Sequence, residues 1–134
     1  MTPQTALADS NLLRRALQAN GVFSALSGLL LIAASGRIAA LIGIEQSLWL
    51  TGLILLFFAV GLFRNAGRAE INQTEVRIAV ALDVAWVIGT AGLIFAGVFS
   101  ATGNWVVALV GDIVLILAVL QFLGLRKLRR SLHN

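Results

Sequence analysis

The sequence predicts an all-α membrane protein, a bundle of four transmembrane helices with both termini in the cytoplasm. Composition is the first reason: 59% of the 134 residues are hydrophobic, 12% are charged, and the mean hydropathy is +0.94. A soluble domain carries about 25% charged residues. This chain has too little polar surface to cover a globule in water, so we expect it to fold in lipid. The apolar stretches and the positions of the basic residues supply the rest of the prediction.

Four apolar stretches cover roughly residues 16–35, 48–63, 78–99 and 106–125. A bilayer core of about 30 Å requires about 20 helical residues, and only helices satisfy their own backbone hydrogen bonds in lipid. The second stretch is short, and it needs its flanks or a locally thinner bilayer to span. The first follows Arg14 and Arg15 as a cleaved signal peptide would. Ser24 and Ser27 interrupt that stretch and three more spans follow, which favours an uncleaved helix.

Nine of the ten basic residues fall on one side of the membrane if four helices alternate in direction. These nine are Arg14, Arg15, Arg64, Arg68, Arg77, Arg126, Lys127, Arg129 and Arg130. Only Arg37 falls on the other side. Because Lys and Arg collect in cytoplasmic loops, we expect both termini in the cytoplasm of a multi-pass plasma-membrane protein. Residues 1–134 then form a single integral membrane domain with a basic cytoplasmic tail at 126–134.

The connections between spans are short. Residues 36–47 contain too few apolar residues to span, and we expect them to lie at the outer interface. Residues 64–77 form the only polar loop of any length, in which Asn72 or Thr74 can cap the third helix. Residues 100–105 predict a tight outer turn around Gly103.

Two kinds of side chain are predicted to anchor the bundle at the membrane surfaces. Trp49 and Trp105 begin the second and fourth spans, at the outer interface where Trp is favoured. Four basic residues follow the fourth span, and each is worth about 1 kcal/mol near an anionic leaflet. They are Arg126, Lys127, Arg129 and Arg130. We therefore expect the tail to bend away from the fourth helix onto anionic lipids.

Two aspartates, Asp83 and Asp112, interrupt the third and fourth apolar stretches. A central Asp costs about 2.5–3.5 kcal/mol on insertion, and each large aliphatic residue returns about 0.3–0.6 kcal/mol, so both helices still insert. No basic residue lies at a matching depth in any span. The two carboxyls are therefore expected to turn inward, to pair with other polar groups or to stay protonated.

Polar side chains on the first and third spans are candidate partners for these carboxyls. A weak parallel repeat aligns Asn20 with Asp83, which places the two at similar depth. The candidate ion, proton or polar-network residues are Asp83, Asp112, Asn20, Ser24, Ser27 and Thr90. Asp83 and Asp112 should differ in depth by about 10 Å, which excludes a pair of carboxyls that share a proton. They could still be two sites along one polar path, if the helix faces that carry them face each other. The preferred interpretation of Asp83 is a protonated or hydrogen-bonded structural carboxyl that contacts the first helix. A third interpretation is a carboxylate that extends to the cytoplasmic interface, which the depth of Asp83 just permits.

The small and polar stripe on the first span has two interpretations. Ser24 and Gly28 form a small-xxx-small pair that favours close helix packing, and the same stripe can line a wet passage. Packing is the preferred interpretation.

The chain contains few residues of the types that carry out catalysis. Cysteine is absent and the only histidine is His133, so disulfides, thiol nucleophiles, haem ligation and histidine metal centres are not expected. We predict no enzyme, no catalytic residue, no cofactor, no metal and no nucleic-acid partner. The length and four-span layout resemble those of small bacterial inner-membrane families. However, the first span lacks the membrane-embedded glutamate of small multidrug transporters, and the asparagine–phenylalanine constellation of fluoride channels has no counterpart.

Two functions of different class follow. The first is an accessory, scaffolding or self-associating membrane component, whose partners would be anionic lipids, further copies of the chain or another membrane protein. The second is a small oligomeric transporter or channel that uses Asp83 and Asp112 for proton or cation coupling.

Overall fold

The computed structural model describes residues 3–133, with the side chains of residues 10–132. The chain is 85% helical, and the described part contains no strand. Its helices are α1 (Pro3–Ala33), α2 (Ser35–Ile42), α3 (Trp49–Ala66), α4 (Gln73–Phe95) and α5 (Ala101–His133). Four of them, α1, α3, α4 and α5, are long and apolar enough to cross a membrane. The all-α prediction with four candidate spans is thereby confirmed. Met1, Thr2 and Asn134, which the predicted domain includes, lie outside the described residues.

The helices extend beyond the apolar stretches, most of all at the two ends of the chain. α5 continues through the basic segment to His133 without a break, so the predicted bend onto the membrane surface is wrong. Leu125 and Leu128 are buried and continue the inward face of α5, while Arg126 and Lys127 point outward. An amphipathic helix persists where one face stays packed, and here that face lies against the early part of α1, around Leu13.

The two connections at the other end of the bundle contain features that the sequence does not predict. Residues 36–47 include most of the short helix α2, whose C-terminal cap Gly43 has a left-handed φ of 82°. Gly103 does not form a turn but lies in the first turn of α5. A Cβ at Gly103 would collide with the carbonyl oxygen of Ile42, so glycine is required there for the contact between α5 and α2. The chain reverses in residues 96–100 instead.

α1 is the central helix of the bundle. It packs against α3 on one side and α5 on the other, and α4 packs mainly against α5. At the contact between α1 and α3 the backbones touch: a Cβ on Gly28 would lie 2.7 Å from the Gly52 carbonyl oxygen. The small residues of the first span therefore serve close packing at this point.

The polar loop between α3 and α4 is held by side chains. Asn72 caps α4 by accepting a hydrogen bond from the Glu75 backbone at 3.0 Å. Asn65 donates to the Asn72 carbonyl at 3.0 Å and accepts from its backbone N–H at 2.8 Å. Arg14 of α1 donates to the carbonyls of Ala66 and Arg68, the latter at 2.7 Å. These bonds join three helices at one end of the molecule.

We call this end the basic end. It contains the loop between α3 and α4 with the adjoining ends of these helices, the early part of α1 and the late part of α5, with the nine basic residues named above. The main apolar cluster also lies here and includes Leu13, Leu17, Leu62, Ala66, Ile71, Val76, Ala79, Leu125 and Leu128. The opposite end, which contains α2 and Arg37, is the α2 end. Core packing is therefore concentrated towards the basic end.

Candidate functional site: a buried polar cluster

Three helices each contribute a polar side chain to one buried cluster. The Asn20 side-chain amide on α1 donates to Asp83 Oδ2 on α4 at 2.8 Å. The Gln121 amide on α5 donates to the same oxygen at 2.9 Å. Asn20 also donates to Gln121 Oε1 at 3.3 Å, which closes a triangle of side chains. Ser24 extends the cluster by donating to Asn20 Oδ1 at 3.3 Å.

The polar cluster (Asn20, Ser24, Asp83 and Gln121) is enclosed by the protein. Asp83 is 6% exposed, and Asn20 and Gln121 are 1% and 0% exposed. Since lipid supplies no hydrogen bonds, a carboxyl at this depth must be satisfied inside the bundle. Two amide N–H donors accomplish that for Asp83 without a basic residue.

Helical spacing explains why these side chains meet. Val76, Ala79 and Asp83 are separated by three and four residues, and they are the buried residues of α4. On α5, Leu117, Gln121 and Leu125 occupy one buried face at intervals of four residues. Gln121 also donates to the Leu117 carbonyl at 3.2 Å, which restricts its side chain to the side facing Asp83.

Gln121 was missed by the sequence analysis. A neutral amide in the run "LAVLQFLGL" disturbs the hydropathy pattern less than a carboxylate does. The available signal was its helical position: Gln121 shares a face with Leu117 and Leu125, whereas Asp112 lies nine residues earlier and about 180° around the helix. Projection of the fourth span onto a helix would have directed attention to Gln121.

Three of the predicted network residues lie outside the cluster. Ser27 is half-buried on α1. Thr90 donates to carbonyls of its own helix, those of Trp86 at 2.9 Å and Val87 at 3.2 Å. Asp112 is exposed on the side of α5 that points away from α1 and α4. Within one chain, Asp83 and Asp112 therefore do not face a common path.

The predicted surface anchors are all exposed. Trp49 and Trp105 lie near the starts of α3 and α5, at the α2 end. The basic residues Arg126, Lys127, Arg129 and Arg130 project from the late part of α5 at the basic end.

An open groove of about 220 Å³ lies between α3 and α4 in the half nearer the basic end. Phe57, Phe58 and Leu82 are among its apolar walls, and Arg64 and Glu75 lie at its polar end. Asp83 does not line it. In the part of the chain that the structure describes, no three His, Cys, Asp or Glu side chains are close enough to hold a metal ion.

The polar cluster can thus hold three helices together, and its one carboxyl is a candidate for handling a proton or a cation. Comparison of the chain with protein-family models, with curated proteins and with solved structures yields no significant match.

Proposed function

We propose that the protein is a non-catalytic component of the plasma membrane, the inner membrane of a bacterium, that acts by associating with other membrane-embedded chains. The observation that carries this proposal is the sparse packing of α4. Only Val76, Ala79 and Asp83 are buried among its 23 residues, and all three lie in its first half. Such a helix is held in position along one side only.

The free side of α4 has a surface suited to another helix. Ala81, Ala85, Gly89 and Gly92 follow one another at intervals of three or four residues, and we call them the α4 stripe. All four are exposed and lie opposite the side that packs against α5. Nothing lies within 4 Å of a Cβ built on Gly89 or Gly92. Small residues on a membrane helix let a second backbone approach closely, so the stripe supports an accessory or scaffolding role.

The orientation follows from charge. We place the basic end, with both termini, in the cytoplasm, because positively charged loops are retained there. The exposed basic residues of the late part of α5 then lie where they attract anionic lipids, at about 1 kcal/mol each.

Substitution of the stripe glycines tests the proposal. Gly89→Leu and Gly92→Leu should leave the monomer folded, because the space around them is open, and should weaken association with neighbouring chains. The measurement is the size distribution of the protein extracted from native membranes in lipid nanodiscs. Gly61→Leu is a matched control, since Gly61 on α3 is also exposed with nothing within 4 Å. A wild-type chain that is always recovered alone would contradict the proposed role.

A second candidate function is proton or cation coupling through Asp83, and the observation that favours it is the burial of this carboxyl within the spans. Ionisable residues inside membranes commonly mark ion or proton pathways. The test is proton or cation flux in liposomes that contain the purified protein. Loss of flux in folded Asp83→Asn would support coupling and would argue against a purely accessory role, whereas absence of flux in the wild-type protein would exclude coupling.

A further inference from the structure

Asp112 is an exposed carboxyl within the membrane-spanning part of α5. Among residues 10–132 it has no hydrogen-bond or ion-pair partner. Asp83, by contrast, accepts two hydrogen bonds inside the bundle. A carboxyl that faces lipid without a partner is costly, so the single chain leaves a polar group that another molecule must satisfy.

The surface around Asp112 has the spacing of a helix–helix seam. Its members are Trp105, Leu109, Asp112, Ile116, Val119 and Leu123, and we call them the α5 seam. The intervals alternate between four and three residues, which is the heptad spacing of helices that pack with a left-handed crossing. Every member is exposed, and the seam lies opposite the face of α5 that packs against α1 and α4. Occupation of the seam would therefore leave the fold of the chain undisturbed.

We propose that the α5 seam binds a second copy of this chain, in a parallel twofold dimer in which the two Asp112 side chains hydrogen-bond to each other. This inference rests on the proposed role in association and names the partner. A twofold axis along the membrane normal brings identical residues to the same depth. A carboxyl is self-complementary, because its protonated form donates an O–H and its other form accepts one. A different partner would need a donor placed at this depth by chance.

A single polar residue in an apolar seam also defines the pairing. One polar side chain at a core position of a coiled coil selects register and oligomeric state, since any shift leaves it unpaired. Beyond Leu123 the same spacing reaches Arg126 and Arg130, which are exposed and alike in charge. Their repulsion ends the tight contact at the basic end, so the dimer contact is confined to the apolar part of α5.

Cross-linking in membranes tests the dimer directly, because the chain contains no cysteine. Under mild oxidation, Leu109→Cys and Ile116→Cys should each give a disulfide-linked dimer. Ile113→Cys and Ile54→Cys are matched controls, since Ile113 lies at the flank of the seam and Ile54 is exposed on α3. Both controls should remain monomeric. Equal cross-linking at Ile54 and at the seam would overturn the proposal.

The role of the carboxyl is tested in the Ile116→Cys background. Asp112→Leu should weaken dimer formation about tenfold, because the hydrogen-bonded pair is lost. Asp112→Asn should retain most of the dimer, since a carboxamide still donates and accepts. Unchanged dimerisation in Asp112→Leu, with the fold intact, would show that the carboxyl does not join the two copies.

A photoreactive residue at position 109 separates this inference from the proposed function. Cross-links to a second copy support the dimer. Cross-links to a different protein, with none between copies, would overturn the dimer and leave the accessory role intact. Adducts with lipid alone, both there and at position 92 on the α4 stripe, would overturn the dimer and the proposed function together.

Discussion

Asp83 and Asp112 are the same residue type in similar apolar surroundings of the sequence, and their situations in the structure are opposite. Asp83 accepts two amide hydrogen bonds at 2.8 and 2.9 Å inside the bundle, whereas Asp112 faces outward. The difference arises from the position of each residue around its own helix axis, which directs Asp83 inward and Asp112 outward. Asp83 is therefore satisfied within one chain, whereas Asp112 is exposed to the surroundings of α5.

Substitution of Asp83 should destabilise the monomer. In Asp83→Leu the Asn20 and Gln121 amides lose their common acceptor, and an unsatisfied buried donor costs about 1–3 kcal/mol. Asp83→Asn should cost less, because its carboxamide oxygen can still accept. The free energy of unfolding is measured by titration with denaturing detergent in mixed micelles.

The control for this prediction removes all four polar groups of the cluster. The variant Asn20→Leu, Ser24→Ala, Asp83→Leu, Gln121→Leu leaves no donor of the cluster unpaired and should recover part of the lost stability. If Asp83→Leu is as stable as the wild-type protein, the cluster does not hold the helices together.

Arg14 and Arg15 are equivalent for membrane orientation, and we predict that they contribute differently to the free energy of unfolding. Arg14 donates to carbonyls at the end of α3 and in the following loop, while Arg15 is exposed. Arg14→Met should lower the free energy of unfolding by about 1–2 kcal/mol, because a cation that bonds the C-terminal carbonyls of a helix is lost. Arg15→Met should change it by less than about 0.5 kcal/mol. Equal effects of the two substitutions in the same detergent titration would contradict this assignment.

At the scale of elements, the helix pair α1 and α3 is packed more closely than the pair α4 and α5. α1 and α3 touch through the backbones of Gly28 and Gly52, whereas α4 is packed along one side and leaves Gly89 and Gly92 in open space. A small residue has two physical roles in a membrane helix: within a packed pair it permits contact, and on a free face it leaves room for contact with another chain. Only the neighbouring helix decides between them.

Alanine substitutions at two glycines of α3 should therefore have opposite effects. A Cβ at Gly52 would lie 2.6 Å from the Gly28 carbonyl oxygen, so Gly52→Ala should destabilise the bundle by about 1–3 kcal/mol. A Cβ at Gly61 meets nothing within 4 Å, and Gly61→Ala should stabilise α3 by about 0.5–1 kcal/mol through its better helix propensity. The measurement is the thermal unfolding temperature of each variant, which should fall for Gly52→Ala and rise for Gly61→Ala. Destabilisation by both substitutions would mean that the free face of α3 is already occupied.

At the scale of the whole molecule, charge is divided between the two ends. Nine basic residues lie at the basic end, and Arg37 lies at the α2 end. The main apolar cluster and the bonds from Arg14 also lie at the basic end. The molecule is thus packed most firmly at the basic end and most loosely along the second half of α4.

The orientation of the bundle is testable with reporter fusions. Green fluorescent protein fused after Asn134 should fluoresce in a bacterial host, because we place that end in the cytoplasm. Alkaline phosphatase fused at the same position should be inactive, since it requires the periplasm. Phosphatase fused after Phe99, between α4 and α5, is the matched control and should be active. The reverse pattern would invert the proposed topology.

The sequence predicted the fold class and the approximate positions of the spans because hydropathy is a property of each segment by itself. Helix ends were less predictable. α5 continues past Leu125 because Leu125 and Leu128 pack against the early part of α1 around Leu13, a contact between the two ends of the chain. Gly103 was taken for a turn because glycine is common in turns, and its actual role is the contact with Ile42.

By itself the sequence determined that this is a helical protein with four candidate membrane spans, and it identified Asn20, Ser24 and Asp83 as candidates for a polar network. Only the tertiary structure decided that Gln121 completes that network, that Asp112 lies outside it and that Arg14 differs from Arg15. The reason is that insertion into lipid depends on the summed hydropathy of a segment. The direction in which a side chain points depends on the rotation of its helix against neighbours up to 101 residues away in the chain.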